Sequence, residues 1–348
     1  MNAVVLIANS DDDTIATLAL DDGRLRPLAT TPLPGSSSTF AVDAARRLVY
    51  AGVKSGFEPD AARGEGSPAI LTLVLGADGV LSELARTPWA DPMVYLALTP
   101  DGRTLLGASY HGGSGVVWPA EDGVLRAPTA ELRFPNVHSV ALSPDGAHAY
   151  YVSLGDDLIA QYALSAGGIL SPLDPLAAPA PAGSGPRHLV LSADGRSAYL
   201  VTEFSGEVIR FDRDQAGRLT PAESVSIVDP DAGLRHSRYG ADPRAEHLIW
   251  GADVHLAAGG RYLLASERTA NTIATIELDA TGRLGPVVAL RRTEPQPRGF
   301  GVSPDGEWVV AVGELSDSAA LYRVEADGRL TDADRVPTGR GANWVRFA

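Results

Sequence analysis

Ala141-Leu142-Ser143-Pro144-Asp145-Gly146-Ala147-His148-Ala149-Tyr150-Tyr151 is an apolar strand, a tight turn and a second apolar strand. Proline presets φ for the turn and Asp-Gly completes it, so the flanking strands form an antiparallel hairpin. The same pattern returns at Ala97 to Leu106, Val190 to Val201 and Gly301 to Val310, with degenerate copies at Phe40 to Tyr50 and His255 to Leu264. A second pattern interleaves with it: a turn ending in glycine, followed by Leu, Ile or Val, as in Asp22-Gly23-Arg24-Leu25. It recurs at Gly79, Gly123, Gly168, Gly217, Gly282 and Gly328, at separations of 56, 44, 45, 49, 65 and 46 residues. A period near 45 is the length of one four-stranded propeller blade.

The glycine turn occurs seven times and the first pattern six. Joining the chain ends supplies the missing copy: Asn343-Trp344-Val345-Arg346-Phe347-Ala348 reads as a first strand and Met1 to Asn9 as the strand that follows it. The expectation is an all-β fold, a seven-bladed β-propeller with four antiparallel strands per blade. Residues 1–348 form one domain, closed by N- and C-terminal strands that share a blade. Such sharing pins the last blade to the first through ladder hydrogen bonds. No stretch has helical periodicity. Two segments exceed the repeat, Lys54 to Ser67 and Val228 to Leu248, the second holding His236, Arg238, Tyr239 and His247.

Composition bounds the function. Hydrophobic residues make up 45% of the chain and charged residues 21%, ordinary for a chain with a core to bury. A formal net charge of −14 argues against a phosphate-backbone binder, so nucleic acid is not an expected partner. The chain has no cysteine, which removes disulfides, zinc-thiolate sites and thiol nucleophiles. Met1 to Asn9 lacks the basic start and cleavage site of a signal peptide, and no long apolar window spans a membrane. The reading is a cytoplasmic protein with no membrane partner.

In each blade let the strands run a to d from the channel outward. The connections from b to c and from d to the next a then share one face. Tyr95, His138, Arg187, His188, Asp253, His255, Arg298 and Trp344 fall at or near the start of strand a. Tyr110, His111, Asp156, Asp157, Glu203, Arg268, Asn271, Glu314 and Asp317 fall in the b–c connections. Four of the seven histidines lie in this set. The opposite face carries mainly Pro-Asp-Gly turns.

Gly185-Pro186-Arg187-His188, Trp250-Gly251-Ala252-Asp253-Val254-His255, Glu267-Arg268-Thr269-Ala270-Asn271, Thr293-Glu294-Pro295-Gln296-Pro297-Arg298-Gly299-Phe300 and Asn343-Trp344-Val345 resemble the bacterial seven-bladed lactonases of the 6-phosphogluconolactonase type. The resemblance runs in order along essentially the whole chain, most strongly from Pro135 onward. The same family includes carboxy-muconate lactonising enzymes. The resemblance implies His138, Arg187, Glu203 and Arg268 as active-site residues and a sugar-acid lactone as substrate, foremost 6-phosphoglucono-δ-lactone of the pentose phosphate pathway. The sequence departs from the pattern at Val137, at Asn343, where the Gly-Pro-Arg-His motif would put arginine, and at Ala257-Ala258-Gly259-Gly260, which replaces a Pro-Asp-Gly turn.

Opening a lactone needs a base for water and a cation for the oxygen charge that develops on the carbonyl. Glu203 or His138 can supply the base and Arg187 or Arg268 the cation. Arg298 can grip an anionic group on the substrate, and His188, His255, Asp253, Tyr110 and Trp344 complete the expected substrate-binding set. Each has a plainer reading: Arg187 and Arg298 as bridges between blades, His188 and Trp344 as channel packing, Asp156, Asp157 and Asp317 as turn formers. No metal and no cofactor are expected, because a divalent ion near Glu203 and Asp253 would face the arginines of the same mouth. Gly64-Glu65-Gly66-Ser67-Pro68-Ala69 mimics a dinucleotide fingerprint but leads into a strand, and no Gly-x-Ser-x-Gly elbow or His-Glu-x-x-His motif occurs. Two alternatives stand beside the phosphorylated lactone. One is an enzyme for a plain lactone such as gluconolactone or a muconolactone; the other is a propeller that binds without chemistry.

Overall fold

Hydrogen bonding sorts the strands into seven antiparallel sheets in a computed structural model that describes residues 3–54 and 68–348. The innermost strands are Ala342–Phe347, Ser36–Asp43, Tyr95–Leu98, Val137–Leu142, Pro186–Leu191, Gly251–Ala257 and Phe300–Val302, which define blades 1 to 7 in that order. Each packs against the next, and the seventh against the first, so the ring closes. Blade 1 runs Ala342–Phe347, Ala3–Asn9, Thr14–Asp21 and Arg24–Pro32, with Val5 opposite Phe347 and Ile7 opposite Val345. The shared blade expected from the two chain ends is present.

Burial follows from the strand period. Second and third strands are buried on both faces, because each blade is sandwiched between two others. Outermost strands such as Leu219–Ser226 alternate and turn charge to solvent. The buried apolar residues fall into seven clusters, one between each pair of adjacent blades. Between blades 1 and 2, for example, Leu6, Ile15, Phe40, Val49 and Trp344 meet.

The glycine turns serve the ring as well as the hairpins. All seven glycines have positive φ, from 71° at Gly23 to 88° at Gly79, a region open to a residue without Cβ. Their carbonyls accept from the neighbouring blade at five interfaces. Thr17 donates to Gly79 at 2.8 Å, Thr72 to Gly123 at 2.6 Å, Thr129 to Gly168 at 2.6 Å, Tyr150 to Gly217 at 2.6 Å and Tyr199 to Gly282 at 2.7 Å.

Of the two long segments, Ser55 to Ser67 lies outside the described residues, as does the glycine-rich start of the rejected dinucleotide motif. Val228 to Leu248 connects blade 5 to blade 6 and contains a helical turn, Pro243–Glu246, that the absence of helical periodicity did not lead us to expect. A single turn is too short to show a period. Its signal was the cap: Asp242 accepts from the Ala245 N–H at 3.1 Å and Pro243 opens the first turn. Ala258 to Gly260, the departure from Pro-Asp-Gly, still forms a tight turn, as a 3₁₀ segment. No helix among the described residues is long and apolar enough to cross a membrane.

Candidate active site

Each innermost strand begins at the same mouth, and on several of them the ladder slips by one residue there. The shift falls between Val137 and Ser139 in blade 4, between Pro186 and His188 in blade 5 and, in blade 1, where Ala8 pairs with Trp344 and Asn9 with Ala342. The unpaired residues are His138, Arg187 and Asn343. A β-bulge re-aims the side chain it carries, and with Ser38 of blade 2, left unpaired by the same slip, four blades put a polar group at one level of the mouth. In blade 6 the slip spans Ala252 and Asp253.

Arg187 and Arg268 converge on Glu203. The carboxylate Oε2 accepts from Arg187 Nε at 2.9 Å and meets Arg268 Nη2 at 3.1 Å, while Oε1 accepts from Trp250 Nε1 at 3.2 Å. Backbone carbonyls pin both guanidinium groups: Arg187 Nη1 donates to Ala252 O, and Arg268 donates through Nε to Trp250 O at 3.3 Å and through Nη2 to Gly251 O at 3.1 Å. The Arg268 guanidinium also lies 3.8 Å from the Trp250 ring centroid. Arg187 Nη2 and Arg268 Nη1 have no hydrogen-bond partner among the described residues. Arg187 thus bridges blades 5 and 6, the plainer reading, and still keeps one nitrogen uncommitted. Burial, reinforced by Arg268, pulls its pKa down to about 9, which leaves it charged at neutral pH. Burial raises the Glu203 carboxyl, but Arg268, Arg187 and Arg298 outweigh it and hold the group below the usual carboxylate range.

Below lies an aromatic floor. Tyr95 of blade 3 meets His188 of blade 5 at 5.0 Å between ring centroids and Trp344 of blade 1 at 5.2 Å, and His138 of blade 4 meets His188 at 5.2 Å. His188 Nδ1 pairs with Asp253 Oδ1 at 2.7 Å and His255 Nε2 with Asp253 Oδ2 at 3.1 Å. Backbone N–H groups of Val254 and Phe300 also donate to that carboxylate, at 3.0 and 3.4 Å. Assigned from this network, His188 is neutral with its proton on Nδ1, and its Nε2 faces Arg187 Nη1 at 3.2 Å. Burial and the Arg187 charge draw the His188 pKa down to about 3. Asp253 is held well below the carboxylate range by His255 and His188 against its burial.

His138 is the freer imidazole. Its Nδ1 is buried without a partner, and burial together with Arg187 holds its pKa well below the usual histidine value. Tyr110 covers it at 5.5 Å between rings and is itself pushed up to about 12, first by burial and then by Glu203. Arg298 stands at the rim with Glu314, at 3.4 Å.

The sequence-derived set therefore separates into levels. His138, Arg187, Glu203, Arg268 and Tyr110 surround one point of the mouth, Arg298 stands on its rim, and His255 borders the channel beneath. His188, Asp253 and Trp344 belong to the floor, each committed to protein partners: His188 and Asp253 to each other, and Trp344 through Nε1, which donates to Phe40 O at 3.0 Å. The Asp157 carboxylate reaches beyond its own turn, accepting from the Gly183 and Gly185 N–H groups of the connection into blade 5. Sequence reasoning passed over Trp250, which touches both Glu203 and Arg268; its signal was its place at the head of the Trp250 to His255 motif. Among the described residues no group of three or more His, Asp or Glu is arranged to hold a metal ion.

A family model described as "Lactonase, 7-bladed beta-propeller" matches residues 5–347. The chain is 29% identical to the 6-phosphogluconolactonase of Serratia proteamaculans over 351 residues, covering 99% of this chain and 98% of that one. It stands at the same identity and coverage to the 6-phosphogluconolactonase of Yersinia pestis. Among solved structures, the periplasmic gluconolactonase of Pseudomonas aeruginosa superposes with a TM-score of 0.86 at 26% identity, over 100% of this chain and 99% of that one.

Proposed function

Because this chain belongs to the seven-bladed β-propeller lactonase family, we propose that it hydrolyses a sugar-acid lactone at the mouth built around Glu203, with 6-phosphoglucono-δ-lactone as substrate. The observation that carries this reading is the pair of buried guanidiniums pinned to one carboxylate, each with a terminal nitrogen uncommitted, beside an uncharged histidine. Charge that develops on the lactone carbonyl oxygen is met by Arg187 Nη2 and Arg268 Nη1, donors already oriented before the substrate arrives.

The geometry favours His138 over Glu203 as the base. Both Glu203 oxygens are occupied by donors that stabilise the anion, whereas His138 is neutral and its Nδ1 has no hydrogen-bond partner. His138 takes a proton from water as the water oxygen bonds to the carbonyl carbon. The tetrahedral oxyanion rests on the arginines. On collapse the bond to the ring oxygen breaks, and that oxygen receives the proton from His138, leaving an open-chain acid. Glu203 orients the arginines, Trp250 orients Glu203, and Arg298 receives the substrate's anionic end. His188, Asp253, His255 and Trp344 support the binding surface from below, and Tyr110 borders it. No step requires a cofactor. A phosphate ester does not cross a membrane unaided, so a phosphorylated substrate sets the reaction in the cytoplasm.

A second reading keeps the chemistry and removes the phosphate, and the Pseudomonas gluconolactonase neighbour favours it. Acid release from 6-phosphoglucono-δ-lactone and from glucono-δ-lactone, measured in weak buffer, separates the two. We expect faster turnover of the first and a fall in kcat of about 10²-fold or more in His138→Asn. Hydrolysis of neither lactone above the spontaneous rate would sink both readings.

A further inference from the structure

The segment Thr293 to Arg298, which joins blade 6 to blade 7, is held in a costly shape. Gln296 has φ +59°, a left-handed conformation rare for a side chain of its kind and unusual just before a proline. Its surroundings fix that shape. The Gln296 N–H donates to Asn271 Oδ1 at 2.7 Å, and the Glu314 N–H donates to Gln296 O at 3.0 Å. Gly313 lies so close beneath that a Cβ there would stand 2.1 Å from the Pro295 carbonyl oxygen. Strain that the surroundings over-determine points to a task at the strained residue.

The Gln296 side chain shows that task. Its Oε1 accepts from Arg244 Nη1 at 3.0 Å, and its Nε2 donates to Glu314 Oε2. Only this orientation of the amide satisfies a guanidinium on one side and a carboxylate on the other. Glu314 is thereby held by one oxygen, and its other oxygen reaches Arg298 Nη1 at 3.4 Å, a long single contact. Arg244 belongs to the helical turn of the Val228 to Leu248 connection. That connection is also tied to the Glu203 loop, through the Ser237 N–H and Phe204 O at 3.0 Å.

We propose that Gln296 is a positioning residue for substrate discrimination: by occupying one oxygen of Glu314, it limits that carboxylate to a single long contact with Arg298 and keeps the rest of the guanidinium open to the anionic end of a substrate. Without the amide, Glu314 is free to close on Arg298 as a two-pronged pair and to compete with the substrate anion. Arg244 braces the amide from the insertion. The proposal rests on the reading that Arg298 receives the substrate's anion.

The test compares wild type, Gln296→Ala and the double variant Gln296→Ala/Glu314→Gln. We measure KM and kcat for phosphorylated and plain gluconolactone, and dissociation constants for 6-phosphogluconate and gluconate by calorimetry. Gln296→Ala should raise KM and Kd for the phosphorylated compounds about tenfold, the order of one charge-assisted hydrogen bond, with kcat and the plain compounds unchanged. Glu314→Gln in the same chain should restore both. Equal binding of 6-phosphogluconate by wild type and Gln296→Ala overturns the proposal, and so does a loss that persists in the double variant. A wild type inert toward every lactone refutes the function instead, and the calorimetric arm still decides the role of Gln296.

Discussion

Glu203→Gln keeps the shape of the side chain and removes its charge. The carboxylate lies 2.9 Å from Arg187 and 3.1 Å from Arg268, and those arginines are 1% and 3% exposed. Taking the anion from a buried cluster of this kind leaves two desolvated guanidiniums facing each other, which costs about 3–5 kcal/mol. The amide can still accept one hydrogen bond, so we expect the lower end, about 3 kcal/mol. In chevron or equilibrium urea experiments this appears as a lower midpoint at unchanged slope. Lactone hydrolysis, assayed where the variant remains folded by circular dichroism, should lose about 10²-fold in kcat, because the arginines lose the group that aims them. The double variant Glu203→Gln/Arg268→Met removes the excess positive charge and should be more stable than Glu203→Gln alone. If Glu203→Gln unfolds at the wild-type midpoint, or if adding Arg268→Met lowers stability further, Glu203 is not the counter-ion that the geometry describes.

Acid should weaken the fold in a window that belongs to histidine. Unfolded histidines bind protons below about pH 6.5, whereas His188 stays neutral down to about 3 and His138 also titrates well below its ordinary value, so their contribution is complete above 6.5 and declines as pH falls. Urea midpoints should drop between pH 7 and pH 5, before carboxylates titrate; a flat midpoint across that interval contradicts the assignment. Trp344→Ala empties the floor beside Tyr95 and His188 and should cost about 3–5 kcal/mol in the same assay. Trp344→Phe keeps most of the packing but strands the Phe40 carbonyl, a smaller loss of about 1–3 kcal/mol, with KM unchanged because the ring lies beneath the mouth.

The fold was legible because a propeller writes its geometry into turns. Pro-Asp-Gly marks the inner hairpin, a glycine with positive φ marks the outer one, and counting them gives blades. The shared blade was legible for the same reason, as the one place where the count fell short. That the candidate residues share one face followed from strand order alone. Depth within that face was not legible. Along a strand, alternation tells inside from outside, but a bulge shifts the alternation by one residue, and the slips at His138, Arg187 and Asn343 leave no mark in residue type. Hence His188 and Arg187, adjacent in sequence, take different parts: one in the floor with Asp253, the other at the carboxylate. Trp250 and Gln296 escaped notice because their importance lies in what they hold, and an indole or an amide has no chemistry that singles it out.

Blade 1 sets an order on manufacture. Its three outer strands, Ala3–Asn9, Thr14–Asp21 and Arg24–Pro32, leave the ribosome before the other six blades, yet the strand that covers their channel edge, Ala342–Phe347, follows after them. Throughout elongation the edge of Ala3–Asn9 has free N–H and C=O groups and Val5 and Ile7 lack their partners Phe347 and Val345. A messenger cut short before Ala342 yields an open ring with a sticky edge, a form suited to capture by chaperones or proteases. Because the same strand carries Asn343 to the mouth, closure of the ring and completion of the candidate site are a single event.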